Sequence, residues 1–238
     1  MIMKKTLLVA AVALSALFAG SAAMAQDAAP ASDSGSLTFN IAATSNYVWR
    51  GVSQTSNGAA LQGGADYSKG LFYAGTWLSN VDWGTSTSTE MDLYMGVTPH
   101  VGNYGFDFGV IYYTYPGHDK ADAGSVGELK AAINHPMGKG TIGAAMYLPT
   151  ESLEDPYYEV NASYPLTDKL SVSGAIGNYE SGAYSYTDGV GATISGTGYT
   201  TENIGLTYAL TDKLGLDLRW SSASRLPSTF AATLKATF

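Results

Sequence analysis

The chain has no cysteine among its 238 residues, so no disulfide framework holds it and its stability must come from backbone pairing and packing. Charge is scarce as well. Asp, Glu, Lys and Arg make up 13% of the sequence, about half the roughly 25% usual in soluble domains, too little to cover a water-facing surface in the ordinary way. Basic residues number 12 against 20 acidic ones, which excludes the electropositive footprint of a nucleic-acid binder. Beyond the first 25 residues there is no apolar run of the ~20 residues a spanning helix needs. A membrane-resident form of this chain would therefore have to cross as a closed β-barrel, the other structure that satisfies every backbone polar group in lipid. No proline-rich or polar linker divides the chain after residues 26–35, so one domain is expected.

What is present begins with an export signal. Lys4 and Lys5 precede an apolar run over residues 7–18, which ends in small residues and Ala23-Met24-Ala25. This pattern predicts a secretory signal peptide over residues 1–25, cleaved after Ala25. Its loss removes two basic and no acidic residues, taking the formal net charge from −8 to −10. The expected plan is a signal peptide (1–25), a short flexible segment (26–35) and one barrel (36–238).

Period-two alternation dominates the rest. From residue 37 to 49 the odd positions are mostly apolar (Leu37, Phe39, Ile41, Ala43, Tyr47, Trp49) and the even ones mostly polar, a strand with one greasy face rather than a helix of period 3.6. The pattern recurs eleven more times, and an all-β, antiparallel up-and-down transmembrane barrel of about twelve strands is expected. Met91, Leu93, Met95 and Val97 oppose Glu90, Asp92 and Tyr94. Phe106, Phe108, Val110 and Tyr112 oppose Asp107, and Leu129, Ala131 and Ile133 oppose Glu128 and Lys130. Near residues 60–67 and 71–80 the alternation is weakest, and the outward face of the second of these segments cannot be chosen. Connections alternate in length: tight turns near 68–70, 167–169 and 211–213, and long polar loops at 50–59, 81–88, 116–127, 149–156 and 180–197. Short periplasmic turns and long extracellular loops are the outer-membrane pattern. Tyr164–Leu170 and Tyr208–Leu214 share the sequence strand, Leu-Thr-Asp-Lys-Leu turn, strand. The terminal Phe238, preceded by apolar residues at alternate positions, resembles the signal read by the barrel-assembly machinery.

Residues 44–55, T-S-N-Y-V-W-R-G-V-S-Q-T, are followed by Q-G-G-A-D-Y at 62–67, F-Y-A-G-T-W-L-S-N-V-D-W at 72–83 and E-M-D-L-Y-M-G at 90–96. In these motifs the chain resembles the TorF-type porin family of proteobacteria. The resemblance implies an outer-membrane barrel with a pore, in contact with outer-membrane lipid and with small polar solutes or ions. It brings no catalytic residues and no cofactor.

The strand phases place Asp66, Glu90, Asp92, Asp107, Glu128, Glu159 and Asp217 toward the lumen, against Arg50, Lys130, Arg219 and Lys235. The acidic excess should favour cations modestly. The four bases could equally pair with acids across the bore and plug it. Glu90 and Asp92, two apart on one face, invite a cation-site reading, but with no third ligand a solvated lumen wall is the expectation. His100, His118 and His135 fall in predicted turns and loops with no partner for acid–base chemistry, so an enzyme is not expected. Tyr47, Trp49, Tyr112, Tyr164, Tyr208 and Trp220 are expected as interfacial girdle residues, and Tyr184, Tyr186 and Tyr199 in or beside the longest loop. The leading function is passive diffusion of small hydrophilic solutes with weak cation preference. The alternative is a non-conducting structural or adhesive barrel acting through its extracellular loops.

Overall fold

A computed structural model describes residues 34–117, 124–187, 193–224 and 226–238. The predicted signal peptide, most of the segment 26–35, and His118 lie outside the described residues. Among these residues are twelve long antiparallel strands: β1 (Ser36–Thr44), β2 (Ala60–Lys69), β3 (Phe72–Asn80), β4 (Thr89–Val97), β5 (Tyr104–Thr114), β6 (Val126–Met137), β7 (Gly140–Pro149), β8 (Tyr157–Pro165), β9 (Leu170–Thr187), β10 (Thr193–Thr211), β11 (Leu214–Ala223) and β12 (Thr229–Thr237). Each pairs with its neighbours in sequence, and β1 pairs with β12 from Asn40↔Thr237 to Thr44↔Thr233. The sheet thus closes without a free edge, as a barrel must. Phe238 is part of the closure: its N–H donates to Phe39 O at 2.9 Å, and the Phe39 N–H donates back to Phe238 O at 3.2 Å.

The alternation sets the two faces. Leu37, Phe39 and Ile41 on β1, Leu93, Met95 and Val97 on β4, Val160 on β8, Ile204 and Leu206 on β10 and Leu234 on β12 are all exposed on the outside. An apolar belt of this kind is the surface of a barrel solvated by lipid. The intervening positions face inside, and there Tyr73, Tyr94, Ile111, Tyr113, Tyr147 and Tyr157 are buried and pack as one cluster. On β2 and β3 the outward residues are Leu61, Tyr67, Phe72 and Leu78. Their phase is obscure in sequence because the inward set also carries large rings, Tyr73 and Trp77. Glycines make room for such rings: a Cβ on Gly75 would stand 2.6 Å from the Tyr94 ring.

Two expectations about connections are corrected. Residues 180–197 are largely strand rather than loop: β9 and β10 continue as a paired hairpin to Tyr186↔Ile194 and Thr187↔Thr193, after a register shift between Tyr179 and Ala183. The segment reads as a loop because it is polar, yet its Tyr and Thr residues are strand formers. The first strand ends at Thr44 rather than continuing to Trp49, and Asn46 and Tyr47 after it are buried.

Candidate functional site

Residues 46–55, buried or half-buried, fold into the bore, whereas Ser45 and residues 56–59 are exposed. Within them Val48–Trp49 pairs with Val52–Ser53, leaving Arg50 and Gly51 as a two-residue hairpin turn. Both have positive φ, 46° and 80°, as a type I′ turn requires. Glycine accepts this freely, whereas Arg in the left-handed region costs about 1–2 kcal/mol. A Cβ on Gly51 would stand 2.5 Å from Ser222 O on β11, so the turn is seated hard against that wall. The segment is tied down along its length: Asn46 Nδ2 donates to Thr229 Oγ1 at 2.7 Å, Ser53 Oγ to Asn46 Oδ1 at 2.7 Å, and Trp83 Nε1 to Gln54 Oε1 at 3.1 Å.

The turn delivers Arg50 to the opposite side of the barrel. Its guanidinium donates through Nη1 and Nη2 to both carboxylate oxygens of Glu128 on β6, each at 2.8 Å, and through Nη1 to the Tyr179 hydroxyl. Four rings surround its Cζ: Tyr157 at 4.2 Å, Trp49 at 4.4 Å, Tyr147 at 4.8 Å and Tyr179 at 5.1 Å. The pair is almost sealed, Arg50 being 4% exposed and Glu128 3%. A bidentate, ring-walled ion pair is the geometry in which Arg, with its planar fork, outperforms Lys. It bridges the bore.

The other predicted lumen residues also lie on the interior face, mostly in pairs. Lys130 Nζ reaches Asp107 at 2.6 Å, and Asp107 accepts the Tyr73 hydroxyl at 2.8 Å. Asp217 accepts from Arg219 Nη2 at 3.1 Å and from Thr207 Oγ1 at 2.8 Å, while Arg219 donates further to Asn203 Oδ1 at 2.6 Å and Ser173 Oγ at 2.9 Å. Asp66 accepts from the Tyr94 hydroxyl and, at 3.4 Å, from Asn40, and lies within electrostatic reach of Lys235. Glu159 accepts from Asn161 at 3.2 Å and Tyr157 at 3.3 Å. Glu90 and Asp92 are different. They are 5% and 1% exposed, so they do not form the solvated wall expected of them: Tyr47 of the infolded segment and Tyr115 donate to Glu90, and Tyr113 of β5 is the cross-strand partner of Asp92.

Several aromatic placements change accordingly. Tyr47 and Trp49 are inside rather than in a girdle: Tyr47 is buried and meets Trp77 edge-on at 5.2 Å, and Trp49 meets Tyr113 at 6.1 Å. The girdle positions Tyr112, Tyr164 and Tyr208 are exposed on the outer face. Tyr199 is on β10, buried, 5.2 Å from the Tyr179 ring; Tyr184 and Tyr186 belong to the β9 extension. His135 is in β6 rather than a solvated turn, stacked 4.6 Å from Tyr104, and His100 is exposed on a two-residue segment paired with the start of β5. The hairpin itself has a local signal in Trp49-Arg50-Gly51-Val52, a Gly-containing two-residue turn flanked by strand formers, but its inward direction has none.

A closed twelve-strand barrel, apolar outside and ion-paired inside, is of the outer-membrane porin class in its fold. The chain belongs to the Gcw_chp family of bacterial proteins of unknown function, whose model matches residues 27–238. Solved structures share the architecture at low identity. The KdgM porin aligns over 84% of this chain and 99% of its own, at 8% identity and a TM-score of 0.60. The NanC porin aligns over 85% and 99%, at 10% identity and 0.56, and an outer membrane channel from Pseudomonas putida F1 over 88% and 96%, at 11% identity and 0.52. No curated protein sequence matches the chain.

Proposed function

We propose that this protein is an outer-membrane channel of the TorF-type porin kind, admitting small hydrophilic solutes by passive diffusion with a weak preference for cations. The observation that carries the reading is the interior of a closed barrel in which Asp66, Glu90, Asp92, Asp107, Glu128, Glu159 and Asp217 outnumber Arg50, Lys130, Arg219 and Lys235. Such a wall raises the local concentration of cations over anions. One of the similar structures is KdgM in complex with an oligogalacturonate, a polyanion. The acidic excess here argues against the same cargo. On this reading the belt contacts outer-membrane lipid after export and signal cleavage, and Phe238 is the residue the assembly machinery engages.

The Arg50 bridge favours a second reading, a barrel closed at rest that works through its extracellular loops. Planar bilayers separate the two. Purified protein should give steps of conductance with a reversal potential on the cation side in a salt gradient, and Arg50→Ala should enlarge them. Silence from both proteins would remove the channel and leave the non-conducting barrel.

A further inference from the structure

Glu90 and Asp92 occupy adjacent inward positions of β4, close to the loop end of the bore. Tyr47 from the infolded segment and Tyr115 donate to Glu90. Nevertheless Oε2 of Glu90 and Oδ1 of Asp92, on side chains 5% and 1% exposed, receive no hydrogen bond. The interior cations are engaged elsewhere: Arg50 by Glu128, Lys130 by Asp107, Arg219 by Asp217, with Lys235 beside Asp66. Among the described residues no ion pair reaches either carboxylate. Glu128 adds a third negative group within electrostatic range of Asp92.

Burying one unpaired carboxylate costs several kcal/mol even after relaxation, and two adjacent ones also repel. Since no cation of the chain reaches them, the cost is relieved either by protons on the carboxylates or by a bound cation. Among the described residues no three His, Asp, Glu or Cys side chains converge as a metal site would need, and a divalent ion wants six or more oxygen ligands. Two carboxylates already exceed the charge of a monovalent cation, whose remaining contacts can be hydroxyl oxygens, ring faces and water. The surroundings suit one: Tyr47 and Tyr115 direct oxygens toward Glu90, Tyr113 lies across the strand pair from Asp92, and Trp77 and Trp83 back Tyr47 and Tyr115 at 5.2 and 5.0 Å. Ring faces and carboxylates together attract cations.

We infer that Glu90 and Asp92 form a binding site for a monovalent cation, an alkali or small ammonium ion, held in the bore beside the Arg50–Glu128 bridge. The site deepens the cation preference proposed above and rests on that reading for the ion's route. It also gives the preference a location. Arg50, already neutralised by Glu128, does not oppose a cation there.

The full-length protein tests this in two ways. The first is the thermal unfolding midpoint in detergent, titrated at fixed pH and ionic strength with potassium, sodium or ammonium chloride against N-methyl-D-glucamine chloride. Wild type should be stabilised saturably by at least one small cation, as ligand linkage requires, and Glu90→Gln/Asp92→Asn should lose that response. Single Glu90→Gln serves if the double variant does not fold. Which salt acts distinguishes alkali ions from ammonium. Equal midpoints in all four salts would overturn the site and assign protons to the carboxylates. The second is the reversal potential in bilayers, where the cation-to-anion permeability ratio should fall toward one in the double variant. Saturable stabilisation without any conductance would uphold the site and reject the channel. Conductance with an unaltered ratio and no stabilisation would do the reverse.

Discussion

Two regions of the barrel interior hold charge in different ways. Around mid-barrel, acids and bases are satisfied by near neighbours on the wall: Lys130 and Asp107 lie on adjacent strands, and Asp217 and Arg219 lie two residues apart on one strand, with Thr207, Asn203 and Ser173 completing their hydrogen bonds. At the loop end, Arg50 arrives from a hairpin to meet Glu128, 78 residues away in sequence, and the carboxylates beside it have no cation. Mid-barrel is a lined wall. The loop end is a bridge beside a buried acidic pair.

Breaking the bridge should have the largest effect. Glu128→Ala leaves a buried guanidinium without its carboxylate, and removing one partner of a buried pair costs about 3–5 kcal/mol. Arg50→Met combined with Glu128→Leu should recover most of that loss, because neither charge then needs a partner. Urea unfolding of the refolded barrel, taken as a double-mutant cycle, measures both. Equal losses in the single and double variants would reduce the bridge to a packing contact.

The same change at the mid-barrel wall should do less. Asp217→Asn deprives Arg219 of its carboxylate but leaves Asn203 and Ser173 in place, so the loss is that of hydrogen bonds to a charged group, about 1.5–3 kcal/mol. A cost matching that of Glu128→Ala would erase the distinction between bridge and wall.

The contrast also explains what could be read in advance. On a strand, a one-residue slip flips every side chain, so Asp107, Glu128, Lys130, Asp217 and Lys235 had one consistent face once the apolar residues beside them were placed. Arg50, Tyr47 and Trp49 are not bound by that rule. Their segment continues the alternation of β1 past Thr44, and only tertiary packing, Gly51 against Ser222 and Asn46 against Thr229, turns it inward. Burial of Glu90 and Asp92 depends on that turn and was equally hidden, because local pattern says which face a residue takes and nothing about what later covers it. Over β2 and β3 the difficulty was different: Tyr73 and Trp77 are large rings facing inward, so apolarity no longer marked the outside.

Gly51→Ala probes the inward turn directly. The substitution places a side chain at φ 80° and 2.5 Å from Ser222 O, a strain of about 1–3 kcal/mol. Because the hairpin must shift to relieve it, Arg50 should lose its bidentate hold and single-channel conductance should rise toward that of Arg50→Ala. A destabilised protein with unchanged conductance would mean that the turn's position does not govern the bore.

The smallest effect belongs to the repeated tight turns at the other end. Thr167 Oγ1 accepts from the N–H groups of Lys169 at 3.2 Å and Leu170 at 3.0 Å, whereas at the equivalent turn Thr211 Oγ1 accepts from Lys213 at 3.2 Å. Such side-chain-closed turns contribute roughly 0.5–1.5 kcal/mol per hydrogen bond net, and less where water can replace the donor's partner. Both turns are exposed, so Thr167→Ala should lower the urea midpoint slightly and Thr211→Ala by less still, with neither altering conductance. Sequence identity between the two turns predicts equal losses. The extra bond at Thr167 predicts unequal ones, and the pair of midpoints decides between local sequence and local geometry as the source of turn stability.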